Sequence, residues 1–415
     1  WYDRQHRDSR RYELLEIYNF APQKWHGTHS LKAGLNYSHT SFSGTETSQP
    51  VTLVRADGTR YQLIDFVAGG LLEQKQNEYS AFMQDKWELN GRVTLDAGLR
   101  FDRDQLGANN NFAPRIGIVF LPTPSDRTVV RGGVGLFYDK IPLNIGAFGQ
   151  YPSQQVTTFA ANGVTVVDGP TIYRNTAPAD LKNPYSLAWN LQVDHQLTER
   201  LMLRLGYEER RTHRDFIVEP VSSANELQLQ NGGRSLYREF QAVARFRFQE
   251  GRNIFLSYVR SQSRGDLNDY NTYFGNLRNP VIRPNEYGRQ PFDVPNRLLF
   301  WGDFALPHAI VITPVVDWRN GFPFSALNQQ QDFVGERNAA GRFPHLFTLD
   351  VLVMKGLVIP FRGKRYHGRA GVTIFNITNH FNPRDVQNNL ASPQFGGFYN
   401  SPGISMRLKF EFVKY

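Results

Sequence analysis

Amphipathic segments joined alternately by short and long connections constrain this chain more than any other feature. Segments of ten to thirteen residues recur in which one parity is apolar and the other polar, a period of two that commits them to β-strands. The clearest sets Val93, Leu95, Ala97, Leu99 and Phe101 against Thr94, Asp96, Gly98, Arg100 and Asp102. Another sets Leu187, Trp189, Leu191 and Val193 against Ser186, Asn190, Gln192 and Asp194. About fifteen strands are predicted, at roughly 10–20, 28–42, 77–90, 91–103, 112–121, 127–139, 184–197, 200–213, 236–249, 253–264, 295–306, 309–319, 345–360, 366–378 and 403–413. Short connections fall near Pro22, at Asn90-Gly91, 122–126, 198–199, 251–252, 307–308 and 362–364. Long ones cover 43–76, 104–111, 140–183, 214–235, 265–294, 320–344 and 379–402. Successive antiparallel strands put alternate connections at opposite ends of a sheet, so all tight turns share one rim and all long loops share the other.

That asymmetry, with strands long enough to cross a bilayer at a tilt, predicts an all-β fold: a transmembrane antiparallel β-barrel with short periplasmic turns and long extracellular loops. The competing reading is a soluble β-sandwich or propeller, whose strands usually run to five or six residues and whose packed core would not tolerate strongly polar alternate faces. Mean hydropathy of −0.47 and the lack of a long apolar run exclude a helical membrane protein but say nothing against a barrel, whose strands turn only every second residue to lipid. Trp25 and Trp87 fall near short turns, and Tyr37 and Trp318 toward long loops, as interfacial girdles require. Asp85 shares parity with Tyr79, Ala81, Met83 and Trp87, so it is expected at the periplasmic interface rather than in the hydrocarbon. Val51 to Asp65, centred on Asp57-Gly58, reads as a hairpin inside an extracellular loop.

The net charge of +9, from 47 Lys and Arg against 38 Asp and Glu, is dispersed. Without a basic block or an RNA-binding signature it does not point to nucleic acid. The absence of cysteine removes disulfide scaffolds, thiolate metal sites and cysteine nucleophiles together, and fits a protein that crosses an oxidising periplasm. The start at Trp1, with neither initiator Met nor signal segment, reads as a mature or truncated chain.

Tyr79 to Trp87 (YSAFMQDKW), followed by Val93 to Asp102 (VTLDAGLRFD), resembles the mid-barrel strand pair of TonB-dependent outer-membrane receptors. Ala113-Pro114-Arg115-Ile116-Gly117 and Val130 to Asp139 are similar to the next pair. Asp293-Val294-Pro295-Asn296-Arg297 resembles a recurring strand start in the Oar-like branch, with Asn296 where His is common, and Phe375 to His380 resembles its C-terminal end. The resemblance implies outer-membrane lipid, the TonB complex and an unknown extracellular ligand as partners. It also implies that Gly403, Met406, Leu408, Phe410 and Phe412 form the terminal signal read by the barrel assembly machinery. Barrels of this class have about 22 strands and a plugged lumen, so residues 1–415 are expected to be the C-terminal part of a larger barrel. Plug, TonB-contact segment and some seven strands are not found in the sequence. The resemblance implies energy-coupled uptake or surface capture of a large ligand. The alternative is a structural or adhesive anchor displaying long surface loops.

Catalytic and metal constellations are weak. His26 and His29 have ligand-like spacing but no third ligand, and Gly132-Gly133-Val134-Gly135 lacks dinucleotide-loop spacing and reads as strand. Asp266, Asn268 and Asp269 lack the Gly and terminal Glu of a calcium loop and read as a solvated loop tip. No nucleophile elbow or acid and base pair stands out, so neither an enzyme nor a cofactor is expected. Binding is placed at the loop rim, chiefly 265–294, where Tyr270, Tyr273, Phe274 and Tyr287 accompany Arg278 and Arg283. Aromatic faces and forked guanidinium groups suit sugars, peptides or chelates. Mutual packing of the loops is the competing role for the same rings.

Overall fold

A computed structural model describes residues 2–249, 252–270, 280–362 and 364–413. Fifteen strands form one antiparallel wall in which each pairs with the next: β1 (Asp3–Asn19), β2 (Thr28–Ser48), β3 (Leu71–Asn90), β4 (Val93–Asp104), β5 (Asn111–Phe120), β6 (Thr128–Tyr138), β7 (Tyr185–Gln196), β8 (Leu201–Val221), β9 (Glu226–Gln249), β10 (Arg252–Asp266), β11 (Asn296–Gly302, continued by Phe304–Leu306), β12 (Ile310–Arg319), β13 (Leu346–Phe361), β14 (Lys364–Phe375) and β15 (Ser405–Val413). Among the described residues β1 and β15 pair on one side only, so the sheet is open.

The register carries one parity through the whole wall. Leu99 stands between Met83 and Pro114, Ile116 between Ala97 and Val134, Leu205 between Val193 and Ala242, and Val372 between Val353 and Leu408. These side chains point away from the protein: Met83, Ile116 and Leu408 are 62%, 59% and 72% exposed. An apolar surface this continuous is incompatible with water and defines the lipid face. The opposite parity is polar, and its charges pair both along and across strands. Arg100 Nε lies 2.8 and 2.9 Å from the Asp102 carboxylate oxygens, Arg204 Nε 2.6 Å from Asp194, which also takes Arg131, and Arg297 pairs with Asp317 at 2.9 Å. A lumen lined in this way is what an outer-membrane barrel needs.

Aromatic pairs mark both interfaces. Tyr37 and Tyr79 (5.3 Å between centroids) and Tyr138 and Tyr185 (5.7 Å) stand at the long-loop end, and Trp87 stands near the Asn90-Gly91 turn. Asp85 is outward, as its parity dictates, and reaches His29 rather than bare lipid.

The expected strand number holds, but several strands continue beyond the membrane. β2 runs to Ser48 and β3 starts at Leu71, and β8 and β9 replace most of the expected loop 214–235. At Arg214 the backbone turns left-handed (φ +57°) and the register shifts, after which Ile217, Val218 and Pro220 resume pairing opposite Gln230, Leu229 and Leu227. The expected hairpin is present as Val51–Val54 and Arg60–Val67, turning at Gly58 with φ +83°, where a side chain would be strained. It does not stand alone. Arg60–Val67 pairs with Ser153–Phe159, which pairs with Val166–Thr176, which is fastened in parallel to the start of β9. Loops 43–76 and 140–183 therefore fold into one four-stranded extracellular sheet.

Candidate ligand site at the extracellular mouth

Loop strands and strand extensions bring together a hydrophobic core above the wall. Ile141, Ile145, Phe148, Leu181, Phe216, Val218, Leu227, Leu229 and Tyr270 are its buried members. Ile145 sits on the short helix Leu143–Gly146, and Phe216 and Val218 on the extension of β8. Tyr270, expected as a ligand platform, is instead part of this core. It is 2% exposed, its ring stands edge-on to Phe148 at 5.9 Å, and its hydroxyl donates to the Asn144 carbonyl at 2.9 Å. Its apolar ring is worth more under the other loops than in water, so for this residue loop packing prevails over capture.

The remaining rim residues separate. Tyr287 is half-buried on the short strand Tyr287–Arg289, between the guanidinium groups of Arg234 (4.6 Å) and Arg264 (5.6 Å). Arg283 donates from Nε to the Gln331 carbonyl at 2.5 Å and lies 5.1 Å from the Phe333 ring, tying its loop to 320–344. Tyr273, Phe274 and Arg278 lie outside the described residues.

Asp266 and Asn268, expected at a solvated tip, are buried. Asp266 accepts from the Asn285 amide at 2.8 Å and the Arg234 backbone N–H at 2.5 Å, and Asn268 donates to the Arg283 carbonyl at 2.5 Å. The loop closes over them because these bonds satisfy polar groups that burial would otherwise strand. Nearby Asp215, above the membrane band, has its pKa pushed up to about 6 by burial and then by the charge of Asp269, against the stabilising N–H of Phe216. Among the described residues no three His, Cys, Asp or Glu side chains converge as a metal site.

A second group of loops closes the other side of the mouth. Phe343 and Phe398 lie 5.2 Å apart and Phe324 meets both edge-on, while Asp385–Val386 pairs with Phe398–Tyr399. Below them, between the outer ends of β12, β13, β14 and β15, opens a cavity of about 550 Å³ lined by Arg319, Asp350, Phe375 and Arg384 among others. The sequence pattern did not mark this cavity, because its residues come from five separate segments.

Of the residues expected to form the assembly signal, Met406, Leu408, Phe410 and Phe412 lie on β15 with their side chains on the lipid face, and Gly403 lies two residues before the strand begins at Ser405. Gly403 also lines the mouth cavity.

One apolar and one charged face, tight turns at one rim and packed loops at the other define an outer-membrane β-barrel wall. The family described as outer membrane beta barrel domain matches residues 106–310, and that described as TonB dependent receptor-like, beta-barrel matches residues 1–139. The TonB-dependent transporter Oar of Myxococcus xanthus is 24% identical over 349 aligned residues, covering 65% of this chain and 32% of the relative. Among solved structures, the outer membrane transporter YddB from Escherichia coli aligns with a TM-score of 0.67 at 14% identity, over 98% of this chain and 54% of its own. The ferric enterobactin receptor PfeA from Pseudomonas aeruginosa aligns with a TM-score of 0.66 at 13% identity, over 98% of this chain and 55% of its own. The siderophore receptor PirA from Acinetobacter baumannii aligns at 0.58 and 13%, over 99% and 63%. Over residues 1–139 the chain matches the β-barrel of the TonB-dependent receptors, and its fold and matches place it in the bacterial outer membrane. It spans about a third of the length of the curated relative and about half to two thirds of these solved chains. The matched proteins are receptors and transporters rather than enzymes.

Proposed function

We propose that residues 1–415 are wall strands of a larger TonB-dependent receptor, which captures a large ligand at the cell surface and imports it through its lumen under TonB coupling. The observation that carries this reading is the mouth itself. Extracellular loops pack into a fixed cap around a charged lumen, leaving a ligand-sized cavity between loop aromatics and inward-facing strand residues. The likeness to proteins named as siderophore and ferric enterobactin receptors supports a chelate as one class of ligand. Tyr287, with its flanking guanidinium groups, and the rings of 265–294 other than Tyr270 remain candidates for first contact.

A second reading, a barrel that anchors an adhesive surface, is favoured by one feature. The extracellular sheet and the turn that enters its last strand expose Val164 (78%), Val166, Val167 and Ile172. Comparison of spent media from cells with and without the full-length protein, each with and without TonB, separates the two. Import predicts at least one compound whose depletion requires both proteins. Loss of surface attachment without any TonB-dependent depletion would establish the anchor instead.

A further inference from the structure

We propose that the cavity between the outer ends of β12–β15 binds a small molecule with a planar apolar body and a single anionic group. This deepens the import reading, and rests on it only for the fate of the ligand after capture. The floor of the cavity comes from inward parity: Arg319 on β12, Asp350 on β13 and Phe375 on β14. Its walls come from the loops, with Phe322 and Phe343 on one side and Arg384 on the other.

The polar groups of the lining divide into engaged and available. Asn376 gives its backbone N–H to Asp350 at 2.8 Å and its amide to the His380 carbonyl at 3.1 Å, and its side-chain oxygen accepts the His380 N–H at 3.1 Å. Asn382 likewise closes on the Phe347 backbone, at 2.9 and 3.0 Å. These two asparagines staple the loop and have little left to offer a ligand. Arg319 and Arg384 differ. Among the described residues neither guanidinium has a carboxylate within ion-pair reach, whereas the lumenal Arg100, Arg204 and Arg297 all do. Arg319 lies 5.1 Å from the Phe322 ring, which orients its plane and leaves its fork open. Among the described residues the only carboxylate of the lining is Asp350, one of whose oxygens already accepts the Asn376 N–H.

Two cations without an ion-pair partner therefore face a cavity whose lining also holds three phenylalanines, three prolines and a single carboxylate. An oxyanion is the group that a guanidinium fork binds best, and aromatic walls favour a flat apolar body behind it. A smaller cavity of about 210 Å³ beside β3 and β4 shows the contrast. There Lys140 holds Glu78 at 2.6 Å and Arg100 holds Asp102, so half of the charged side chains of that lining are spent on one another.

The test uses the full-length protein in detergent with 2-naphthoate as probe and 2-naphthalenemethanol as its neutral counterpart, read by calorimetry. Binding should favour the carboxylate by about tenfold, and Arg319→Gln and Arg384→Gln should each remove most of that preference. Phe343→Ala should weaken both probes together. Retention of the heat-modifiable band shows that each variant is folded. Equal affinity for acid and alcohol, no binding of either, or an unchanged preference in the folded R319Q/R384Q variant would overturn the proposal. Binding to purified protein requires no energy coupling, so its failure leaves the import reading standing, and failure of import leaves the cavity assignment standing.

Discussion

His29 and Asp85 meet diagonally across β2 and β3 on the lipid side of the wall, with the imidazole Nδ1 2.6 Å from a carboxylate oxygen. The Trp25 and Trp87 rings flank the imidazole at 5.8 and 5.0 Å, and its Nε2 lies 3.0 Å from the Trp25 carbonyl. A carboxylate on lipid parity is tolerated here because it has a partner, aromatic cover and a place beside the periplasmic turn.

Removing either partner strands the other. His29→Leu and Asp85→Leu should each destabilise the barrel by about 1–3 kcal/mol, and the double substitution by clearly less than their sum. Reversible unfolding in lipid vesicles measures this cycle, and additive losses would mean that the contact contributes nothing.

Tyr270 separates loop packing from ligand contact. Tyr270→Ala should open the loop core, at about 3–5 kcal/mol of local stability, and make 140–183 and 265–294 susceptible to protease while the wall stays folded. Tyr270→Phe forfeits only the hydrogen bond to Asn144, about 1 kcal/mol. Equal protease resistance of Tyr270→Ala and the parent would remove Tyr270 from the core.

Asp215 makes the cap sensitive to pH. Its folded pKa, about 6, lies above its unfolded value, so the native cap takes up the proton first. Stability therefore rises as pH falls from above 6 toward 4 and is lost again on the way up. Asp215→Asn should stabilise the cap at pH 8 by no more than about 2 kcal/mol, after allowance for solvent screening, and the advantage should vanish below pH 4. Thermal melts of parent and variant across this range test the sign. A gap independent of pH would assign the effect to something other than titration.

Much of this was legible in the chain. Alternation about Leu95 and Asp96 marks β4 and its faces, and Asp85 stands out because it breaks the same pattern. The loops were not legible for physical reasons. Arg60–Val67 finds its partner at Ser153–Phe159, and no local periodicity reports a pairing so distant in sequence. A single left-handed residue, Arg214, hides the continuation of β8 by shifting its register. Asp266 and Asn268 look like solvent residues because the groups that satisfy them, at Arg234, Arg283 and Asn285, lie at least fifteen residues away in sequence. The mouth cavity is assembled in the same way. Arg319 and Arg384 are unremarkable in sequence and become a pair only when β12 and the last loop meet.

The closing strand carries an assembly prediction. Truncation before Phe410 should abolish insertion into the outer membrane, whereas removal of 413–415 alone should be tolerated, because the aromatic and aliphatic series from Met406 to Phe412 would then be intact. Heat-modifiable barrel in the membrane fraction is the readout. Equal assembly of both truncations would place the signal elsewhere.

The assignment of a lipid face and a lumenal face underlies every other conclusion, and the absence of cysteine makes it directly measurable. Single cysteines at positions 187 to 194 of β7, in the full-length protein in lipid vesicles, are spin-labelled and probed with oxygen, which partitions into lipid, and with a water-soluble nickel chelate. Labels at 187, 189, 191 and 193 should favour oxygen and those at 188, 190, 192 and 194 the chelate, in strict alternation. Uniform accessibility along the strand, or alternation in the opposite phase, would contradict a lipid-embedded wall with this register.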